Sequence, residues 1–293
     1  MEKTAFSTCL PILNPSFKGY SRYLFWSLAL LAATLGLLYV FFGAPVLAAG
    51  LHYQVFAEDL EEISALAFDR NGDLYATLEK RHGQGQLVLI QGGLTHTLLD
   101  NLDKPDGILL HGNTLYITNE AGSHALIAYE SGTLRYLDGA SSAEGIASAG
   151  PDKILIVEDK KQDGRLLRID PVTAEIEVLL DGLKDAEGVC QSPDGDVYYV
   201  EKTSDRLSRY TGGRVTTAAT GLTNPAFLNC LADGSILITE DRTNFGRLLR
   251  YRQGTIDILA THLRSPQSVI MGADGAYYLA EQRKNRILRL YAS

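Results

Sequence analysis

The sequence has little cysteine and no cluster of the kind that builds a zinc site. Three cysteines occur among 293 residues. None form a Cys-x-x-Cys pair, which excludes a small disulfide scaffold and a zinc finger. The sequence contains six repeats, described below, and Cys190 and Cys230 lie on the first predicted strand of two adjacent repeats. Their positions within the repeat differ by one residue. We therefore expect two buried free thiols there rather than a disulfide.

Basic residues are also scarce, and they form no run. The chain has 27 Lys and Arg against 35 Asp and Glu, which gives a formal net charge of -8. Nucleic-acid binding needs clustered positive charge, so this class of partner is excluded. With 45% hydrophobic and 21% charged residues, the chain is globular rather than disordered.

No charged residue lies between Arg22 and Glu58. Within this gap, residues 24–42 are almost wholly apolar, and about 20 such residues span a bilayer as a helix. Basic residues precede the run and acidic residues follow it. The positive-inside rule then predicts a cytoplasmic tail at 1–22, a transmembrane signal anchor at 23–46 and an exported remainder. The alternative is a cleaved signal peptide with its cleavage site near Ala48.

The remainder consists of six repeats. Each has a short apolar strand, a polar turn that often contains Asp-Gly or Asn-Gly, and a second strand, as in EGVCQSPDGDVYYVE. Third strands such as GRLLRYR and fourth strands such as TIDILATHL follow. Four strands in a period of about 40 residues are typical of a β-propeller blade.

The two ends of the repeat region complement each other. The sixth repeat lacks a fourth strand, and residues 52–60 (HYQVFAEDL) resemble the fourth strands of the other repeats. The sequence thus predicts an all-β, six-bladed propeller over 52–293, closed by its N-terminal strand and preceded by one transmembrane helix. A parallel β-solenoid is the main alternative, but it does not explain this match.

In a propeller the first strands line the central channel, so the residue at the start of each first strand faces the channel mouth. We call these six positions the strand-start ring: Ser64, Asp106, Glu144, Glu187, Ala226 and Gln267.

Three neighbouring members of the strand-start ring are acids. Asp106, Glu144 and Glu187 would repel one another unless a cation or protons intervene. Oxygen ligands suit Ca²⁺, and Gln267 and Ser64 could complete its shell. The sequence therefore predicts a divalent-metal site, with one of the three acids doubling as a catalytic base. The alternative is a water-filled channel whose acids are solvated or paired with arginine.

A second acidic series occupies the ends of the second strands. Four of its members precede an arginine in the next strand at a spacing that suits hairpin partners. Repetition in most blades favours a structural cross-strand ion pair over a functional site. The predicted pairs are Glu158–Arg165, Glu201–Arg206, Glu240–Arg247 and Glu281–Arg286.

Histidine is the other candidate base. His82 and His124 fall in loops between second and third strands, on the mouth side of the predicted propeller. A lone histidine in a loop is more often a solvated surface residue.

The repeats resemble NHL-type repeats and the six-bladed propellers of the SMP-30/gluconolactonase/LRE-like group. The resemblance rests on DGDVYYVEKTSDRLSRY, DGAYYLAEQRKNRILRL and the acid-glycine pairs at three first strands, and it covers residues 52–293.

This resemblance implies hydrolysis of lactones or related esters at a metal, usually Ca²⁺, at the channel mouth. The group's metal ligands include a Glu in the first blade, where this chain has Ser64, and Asn in middle blades, where it has Glu144 and Glu187. The similar strictosidine-synthase-like propellers use a late-blade Glu, and here that position is Gln267.

Two functions follow as hypotheses. One is a divalent-metal-dependent hydrolase of lactones or esters, which works outside the cytoplasm on a small-molecule substrate. The other is a non-catalytic propeller that binds a protein or a small molecule at the channel mouth.

Overall fold

The structure, a computed structural model, describes residues 17–293, with the side chains of residues 22–38 and 43–293. The chain divides into two compact units at residues 44 and 45. A single α-helix, α1, forms Phe17–Gly43 in the first unit. Most of the predicted cytoplasmic tail, residues 1–16, lies outside the described residues. Over the part of the chain that was described, no helix combines the length and apolarity that a membrane crossing requires.

The second unit consists of six antiparallel sheets whose strands follow one another along the chain. Blade 1 contains β3 (Ile63–Phe68), β4 (Leu74–Leu78), β5 (Gly85–Gln91) and β6 (Leu94–Leu102). Blade 2 contains β7 (Ile108–His111), β8 (Thr114–Thr118), β9 (Leu126–Glu130) and β10 (Thr133–Leu137). Blade 3 contains β11 (Ala143–Ser148), β12 (Ile154–Glu158), β13 (Gly164–Ile169) and β14 (Ile176–Leu183).

The other three blades repeat this order. Blade 4 contains β15 (Ala186–Gln191), β16 (Val197–Glu201), β17 (Arg206–Thr211) and β18 (Arg214–Thr220). Blade 5 contains β19 (Pro225–Cys230), β20 (Ile236–Glu240), β21 (Gly246–Arg252) and β22 (Thr255–Leu263). Blade 6 contains β23 (Pro266–Met271), β24 (Tyr277–Glu281) and β25 (Arg286–Ala292), with a short 3-10 helix at Gln282–Lys284.

The fourth strand of blade 6 comes from the N-terminal side of the repeats. Strand β2 (Leu51–Ala57) pairs antiparallel with β25, and Tyr53 lies opposite Leu290. The prediction of a six-bladed propeller closed by an N-terminal strand is confirmed, and the solenoid is excluded. Closure matters because it leaves no bare sheet edge between the first and last blades.

The residues just before the closing strand differ from the prediction. Val46–Leu47 forms strand β1, which adds a fifth strand to blade 5 by pairing with Thr261 and Ala260. The helix predicted for 23–46 therefore ends at Gly43, three residues earlier. Backbone pairing with an existing sheet and the contact of Leu47 with a buried cluster favour the strand at this point.

The core consists of six apolar clusters rather than one central mass. One cluster joins Leu66 and Leu74 of blade 1 with Tyr278 and Ala280 of blade 6. Another joins Tyr116 and Leu126 of blade 2 to residues of blade 3. Because strand side chains alternate in direction, each sheet packs both of its faces against its neighbours.

The two cysteines on first strands form a disulfide, so the prediction of free thiols is wrong. Cys190 of blade 4 and Cys230 of blade 5 are bonded, with their Cα atoms 5.5 Å apart. The alternation of side chains applies within one sheet, whereas these strands belong to two sheets that pack face to face. A one-residue offset between them therefore does not turn the side chains apart.

Candidate functional site

The same backbone device builds the channel mouth in all six blades. We call the end of the channel where the first strands begin the upper mouth. Two residues before each strand-start position, the chain adopts a left-handed conformation with φ between 45° and 58°. The carbonyl of this left-handed residue accepts a hydrogen bond of 2.7–3.1 Å from the N–H of the first residue after the second strand of its own blade, or of the second residue in blade 2. The left-handed residues are Glu62, Lys104, Ser142, Asp185, Asn224 and Ser265.

The hydrogen-bonded residues after the second strands form a further set, which we call the mouth ring. Its members are Glu79, Glu120, Asp159, Lys202, Asp241 and Gln282. Since each N–H is held by the same backbone contact, the side chains of the mouth ring are presented at equivalent positions in all blades.

The structure brings all six strand-start residues together. Each lines one small void on the channel axis, of about 20 Å³. Such a volume accommodates roughly one water molecule, so the channel is constricted here. Ser64 donates a hydrogen bond from Oγ to Asp106 Oδ1 at 3.0 Å, and Ser268 donates to the carbonyl of Ser64 at 2.8 Å. These bonds tie the first strands of blades 6, 1 and 2 together.

Glycine allows the first strands of blades 2 to 5 to approach closely. A Cβ atom on Gly145 would lie 2.3 Å from the carbonyl oxygen of Glu187. On Gly188 it would lie 2.7 Å from the carbonyl oxygen of Ala226. Both distances are shorter than real carbon–oxygen contacts, so only glycine fits beside these acids.

Lys104 neutralises much of the acidic charge at the upper mouth. Its ammonium lies 2.6 Å from Asp106 Oδ2 and 3.3 Å from Glu79 Oε1. It lies 3.5 Å from Glu144 Oε2 and also contacts Glu120. All five side chains are at least 85% buried, so water screens these charges weakly. Four carboxyls thus converge on one cation.

Glu187 has a partner of its own. Lys202 of the mouth ring donates a hydrogen bond from Nζ to Glu187 Oε1 at 2.9 Å. The Glu187 side chain is buried, whereas that of Lys202 is 42% exposed. The three acids predicted from the sequence therefore have different partners. Asp106 and Glu144 lie near Lys104, whereas Glu187 pairs with Lys202.

The buried carboxyls do not all ionise readily. Burial, with the charge of Asp106 nearby, raises the pKa of Glu79 to about 8. Burial also raises the pKa of Glu187 to about 7, although Lys202 opposes the shift. The pKa of Glu144 is raised for the same reasons. Asp106 differs, because the charge and hydrogen bonding of Lys104 outweigh the effect of burial and lower its pKa.

The sequence reasoning missed Glu79, Glu120 and Lys104. It took the last residue of each second strand as the mouth-facing position, but the following residue is the one that reaches the mouth. A strand reverses side-chain direction at every residue, so a shift of one position changes the face. The signal was present, because the residues after the second strands are acidic in four of six repeats.

The second-strand acids themselves are structural. Buried Glu158 accepts hydrogen bonds from Arg165 Nε at 2.8 Å and from the N–H of Ser141 at 2.9 Å. The pairs Glu240–Arg247 and Glu281–Arg286 form in the same way. Arg206 instead lies 3.7 Å from the carboxylate of Asp205, and Glu201 accepts a hydrogen bond from the N–H of Lys184. Three of the four predicted pairs are thus present.

The two histidines lie away from the strand-start ring. His124 stacks on Tyr136 of the outermost strand of blade 2, with ring centroids 4.1 Å apart. His82 is exposed, and its N–H donates to Asp103 at 2.9 Å. We call the four carboxyls around Lys104, together with Glu187, the carboxyl cluster. The side chains of both histidines lie outside it, so the interpretation as surface residues fits better than that of a base over the channel.

The donor set of the carboxyl cluster suits a cation. Asp106, Glu120 and Glu144 each offer an oxygen, and these three atoms lie within 4.8 Å of one another. The Lys104 ammonium already lies among them, which shows that the space is complementary to positive charge. A metal ion would share this space only if Lys104 moved aside.

A large polar cavity opens on the upper mouth beside the cluster. Its volume is about 890 Å³, and it is bounded by blades 4, 5 and 6 and the start of blade 1. Lys202 and Gln282 line this cavity and also contact the buried acids. Lys202 donates a hydrogen bond to Glu187, and Gln282 donates one to Glu79 at 2.9 Å. A small molecule in this cavity would lie next to the ionisable groups.

Sequence comparison finds relatives over part of the propeller. The strictosidine synthase family matches residues 152–212, which include Glu187 and Lys202. Adipocyte plasma membrane-associated protein of Mus musculus is 45% identical over 64 residues, or 21% of this chain. The match spans 15% of that relative's own length, well under two thirds.

Solved structures share the fold over most of the chain. A gluconolactonase of Xanthomonas campestris has a TM-score of 0.72 at 11% identity, covering 84% of this chain and 91% of its own. A Trichoderma reesei carbohydrate-active enzyme of family AA12 has a TM-score of 0.68 at 12% identity, covering 85% and 98%. An auxiliary nutrient binding protein of Bacteroides thetaiotaomicron has a TM-score of 0.66 at 13% identity, covering 82% and 76%. With the family match, these confirm the resemblance at the level of the fold.

Proposed function

We propose that this chain, an SMP-30/gluconolactonase-like six-bladed propeller, is an extracytoplasmic hydrolase of lactones or other esters. The observation that carries the proposal is Glu187, a buried carboxyl with its pKa raised to about 7, whose partner Lys202 lines a cavity of about 890 Å³. A group with a pKa near neutrality accepts and returns a proton efficiently. The gluconolactonase fold is consistent with this chemistry.

The reaction assigned to the site balances within the chain's own residues. Ionised Glu187 takes a proton from a water molecule as the oxygen of that water adds to the ester carbonyl. The carbon–oxygen bond to the leaving alkoxide then breaks, and Glu187 returns the proton to that alkoxide. Lys202 keeps the Glu187 carboxylate oriented through its hydrogen bond at 2.9 Å. A lactone would leave as one hydroxy acid.

A divalent cation is part of the proposal, with Asp106, Glu120 and Glu144 as its ligands. Ca²⁺ fits best, because the donors are all oxygens and waters can complete its shell. When bound, such an ion would polarise the ester carbonyl. Glu187, Gln267 and Ser64, also foreseen as ligands, lie on the same ring, where Ser64 donates to Asp106.

The test combines stability with turnover. The melting temperature of the full chain is measured in EDTA and then in millimolar Ca²⁺, Mn²⁺ or Zn²⁺, because a ligand of the native state raises it by mass action. Hydrolysis of lactones and aryl esters is measured for the wild type, Glu187→Gln and the control Glu201→Gln. Loss of turnover in Glu187→Gln alone supports the proposal. Absence of hydrolysis with every metal overturns it.

A second candidate is a non-catalytic propeller that binds a protein or a small molecule at the upper mouth. It is favoured by Lys104, whose ammonium already occupies the space between the four carboxyls where a metal ion would bind. The double variant Glu144→Gln with Glu187→Gln distinguishes the two functions. If the propeller is a non-catalytic binding protein, the double variant should raise its melting temperature, because repulsion between the carboxyls is relieved. If it is the metal-dependent hydrolase, the double variant should abolish the rise in melting temperature that a metal ion causes.

We also propose that the propeller lies outside the cytoplasm, anchored through residues 23–43 of α1 with residues 1–22 inside. The Cys190–Cys230 disulfide supports this proposal, because such bonds persist in oxidising compartments. Exposed apolar side chains on α1, among them Phe25 and Leu30, support a lipid environment. N-terminal sequencing distinguishes this anchor from cleavage near Ala48, which would give a mature start next to that residue.

A further inference from the structure

A second cavity opens at the opposite end of the channel, which we call the lower cavity. Its volume is about 460 Å³, and the ends of the first strands of all six blades line it. The position four residues after each strand-start residue contributes to its wall in every blade. These residues are Phe68, Leu110, Ser148, Gln191, Cys230 and Met271.

The lower cavity has no ionisable charge among its described lining side chains. In a chain with 21% charged residues, this contrasts sharply with the acidic upper mouth. Its polar side chains form hydrogen bonds within the chain, as Ser148 Oγ does to the carbonyl of Gly150 at 2.9 Å. Asn229 Nδ2 donates to the carbonyl of Val269 at 3.0 Å, and Gln191 Nε2 donates to the carbonyl of Gly195 at 3.0 Å. A charged ligand would lose its hydration here without gaining an oppositely charged partner.

The lower cavity is distinct from the carboxyl site. The strand-start ring lies between the two spaces and leaves a void of only about 20 Å³. Phe227 forms part of the walls of both the void and the lower cavity. A molecule bound below therefore does not reach Glu187 or Asp106 along the axis.

The walls of the lower cavity are preorganised. The Cys190–Cys230 disulfide joins blades 4 and 5 within the wall itself. Leu66 and Leu228, which also line the space, belong to the packed clusters between blades. A rigid, uncharged cavity of this size is in the range that binds small molecules, because little ordering is needed on binding.

We infer that the lower cavity is a binding site for an uncharged, mainly apolar small molecule. The inference does not rest on the hydrolase proposal, because none of the carboxyls of the upper mouth lines the lower cavity. The occupant is assigned from the uncharged lining, from the volume, and from the closure of the cavity at the strand-start ring.

The test is photolabelling of the full chain with trifluoromethyl phenyl diazirine, an uncharged aromatic probe, followed by peptide mapping. We expect saturable labelling of the first-strand peptides that carry Leu110, Phe227 and Met271. Labelling of α1 falls in a different peptide and is counted separately. Gln191→Glu keeps the side-chain size and adds a charge, so it should reduce labelling of the cavity peptides at least tenfold.

Matched controls make the outcome decisive. Leu110→Glu should act like Gln191→Glu, whereas Leu94→Glu, on an exposed outer strand, should leave labelling unchanged. Unsaturable labelling, or equal labelling in wild type and a folded Gln191→Glu variant, would overturn the inference.

Discussion

One lysine side chain organises the ionisation of the upper mouth. Lys104 lies among four carboxyls, yet it supplies only one positive charge to them. One of these partners, Asp106, stays ionised, while burial favours the neutral form of Glu79 and Glu144. The remaining repulsion is thus relieved by protons in the absence of another cation.

Glu79 makes stability depend on pH. Its pKa is about 8 in the folded chain against 4.5 for the free side chain, so the folded chain holds this proton more tightly. The stabilisation of the folded chain by this Glu79 proton is complete below the pKa of the unfolded chain, and it is lost as the pH rises through about 8. We expect the melting temperature in EDTA to fall between about pH 5 and pH 9. Glu79→Gln should reduce this fall by several degrees, and Glu58→Gln, at an exposed site, should not.

The second-strand acids give a stability prediction without a functional effect. Glu158 is fully buried and paired with Arg165 and Lys160. Glu158→Gln should lower the free energy of unfolding by about 1–3 kcal/mol, because buried charged partners lose hydrogen bonds. Glu201→Gln, without the arginine pair, should cost less than about 1 kcal/mol. Urea unfolding measures both, and equal losses would contradict the structural role given to the pair.

At the scale of single strands, the sequence predicted pairing better than side-chain direction. The Asp-Gly turns and alternating apolar residues predicted the hairpins correctly. The mouth ring was missed because the sequence does not show at which residue after each second strand the side chain turns to the mouth. The β-bulge near the start of the first strands, present in five of the six blades, was likewise not foreseen. Contacts between separate sheets, such as the Cys190–Cys230 bond, cannot be deduced from alternation within one strand.

The close approach of first strands gives a prediction at this scale. Gly145→Ala would place a methyl group 2.3 Å from the carbonyl oxygen of Glu187, so blades 3 and 4 would have to separate. We expect a loss of about 1–3 kcal/mol in stability, as for an overpacked core. Gly36→Ala, where an added Cβ meets no atom within 4 Å, is the control. Calorimetry of both variants measures the difference.

At the scale of the whole molecule, the ring depends on a strand that precedes all its repeats. Deleting residues 1–57 removes β1 from blade 5 and β2 from blade 6, and it leaves the edge of β25 unpaired. We expect the melting temperature to fall by at least about 10 °C, with concentration-dependent aggregation. Deleting residues 1–44 keeps both added strands and should change the melting temperature little. Equal behaviour of the two truncations would show that closure contributes nothing.

The repeated hydrogen bond beneath the mouth ring has a practical consequence. Six side chains stand on equivalent backbone contacts of 2.7–3.1 Å that do not involve the side chains themselves. The backbone frame therefore does not depend on which side chains stand at these positions, whereas the ion pairs of Glu79, Glu120 and Lys202 do. The chain thus offers a six-site combinatorial library on a fixed backbone. New binding specificities could be selected from Glu79, Glu120, Asp159, Lys202, Asp241 and Gln282 without redesigning a single strand.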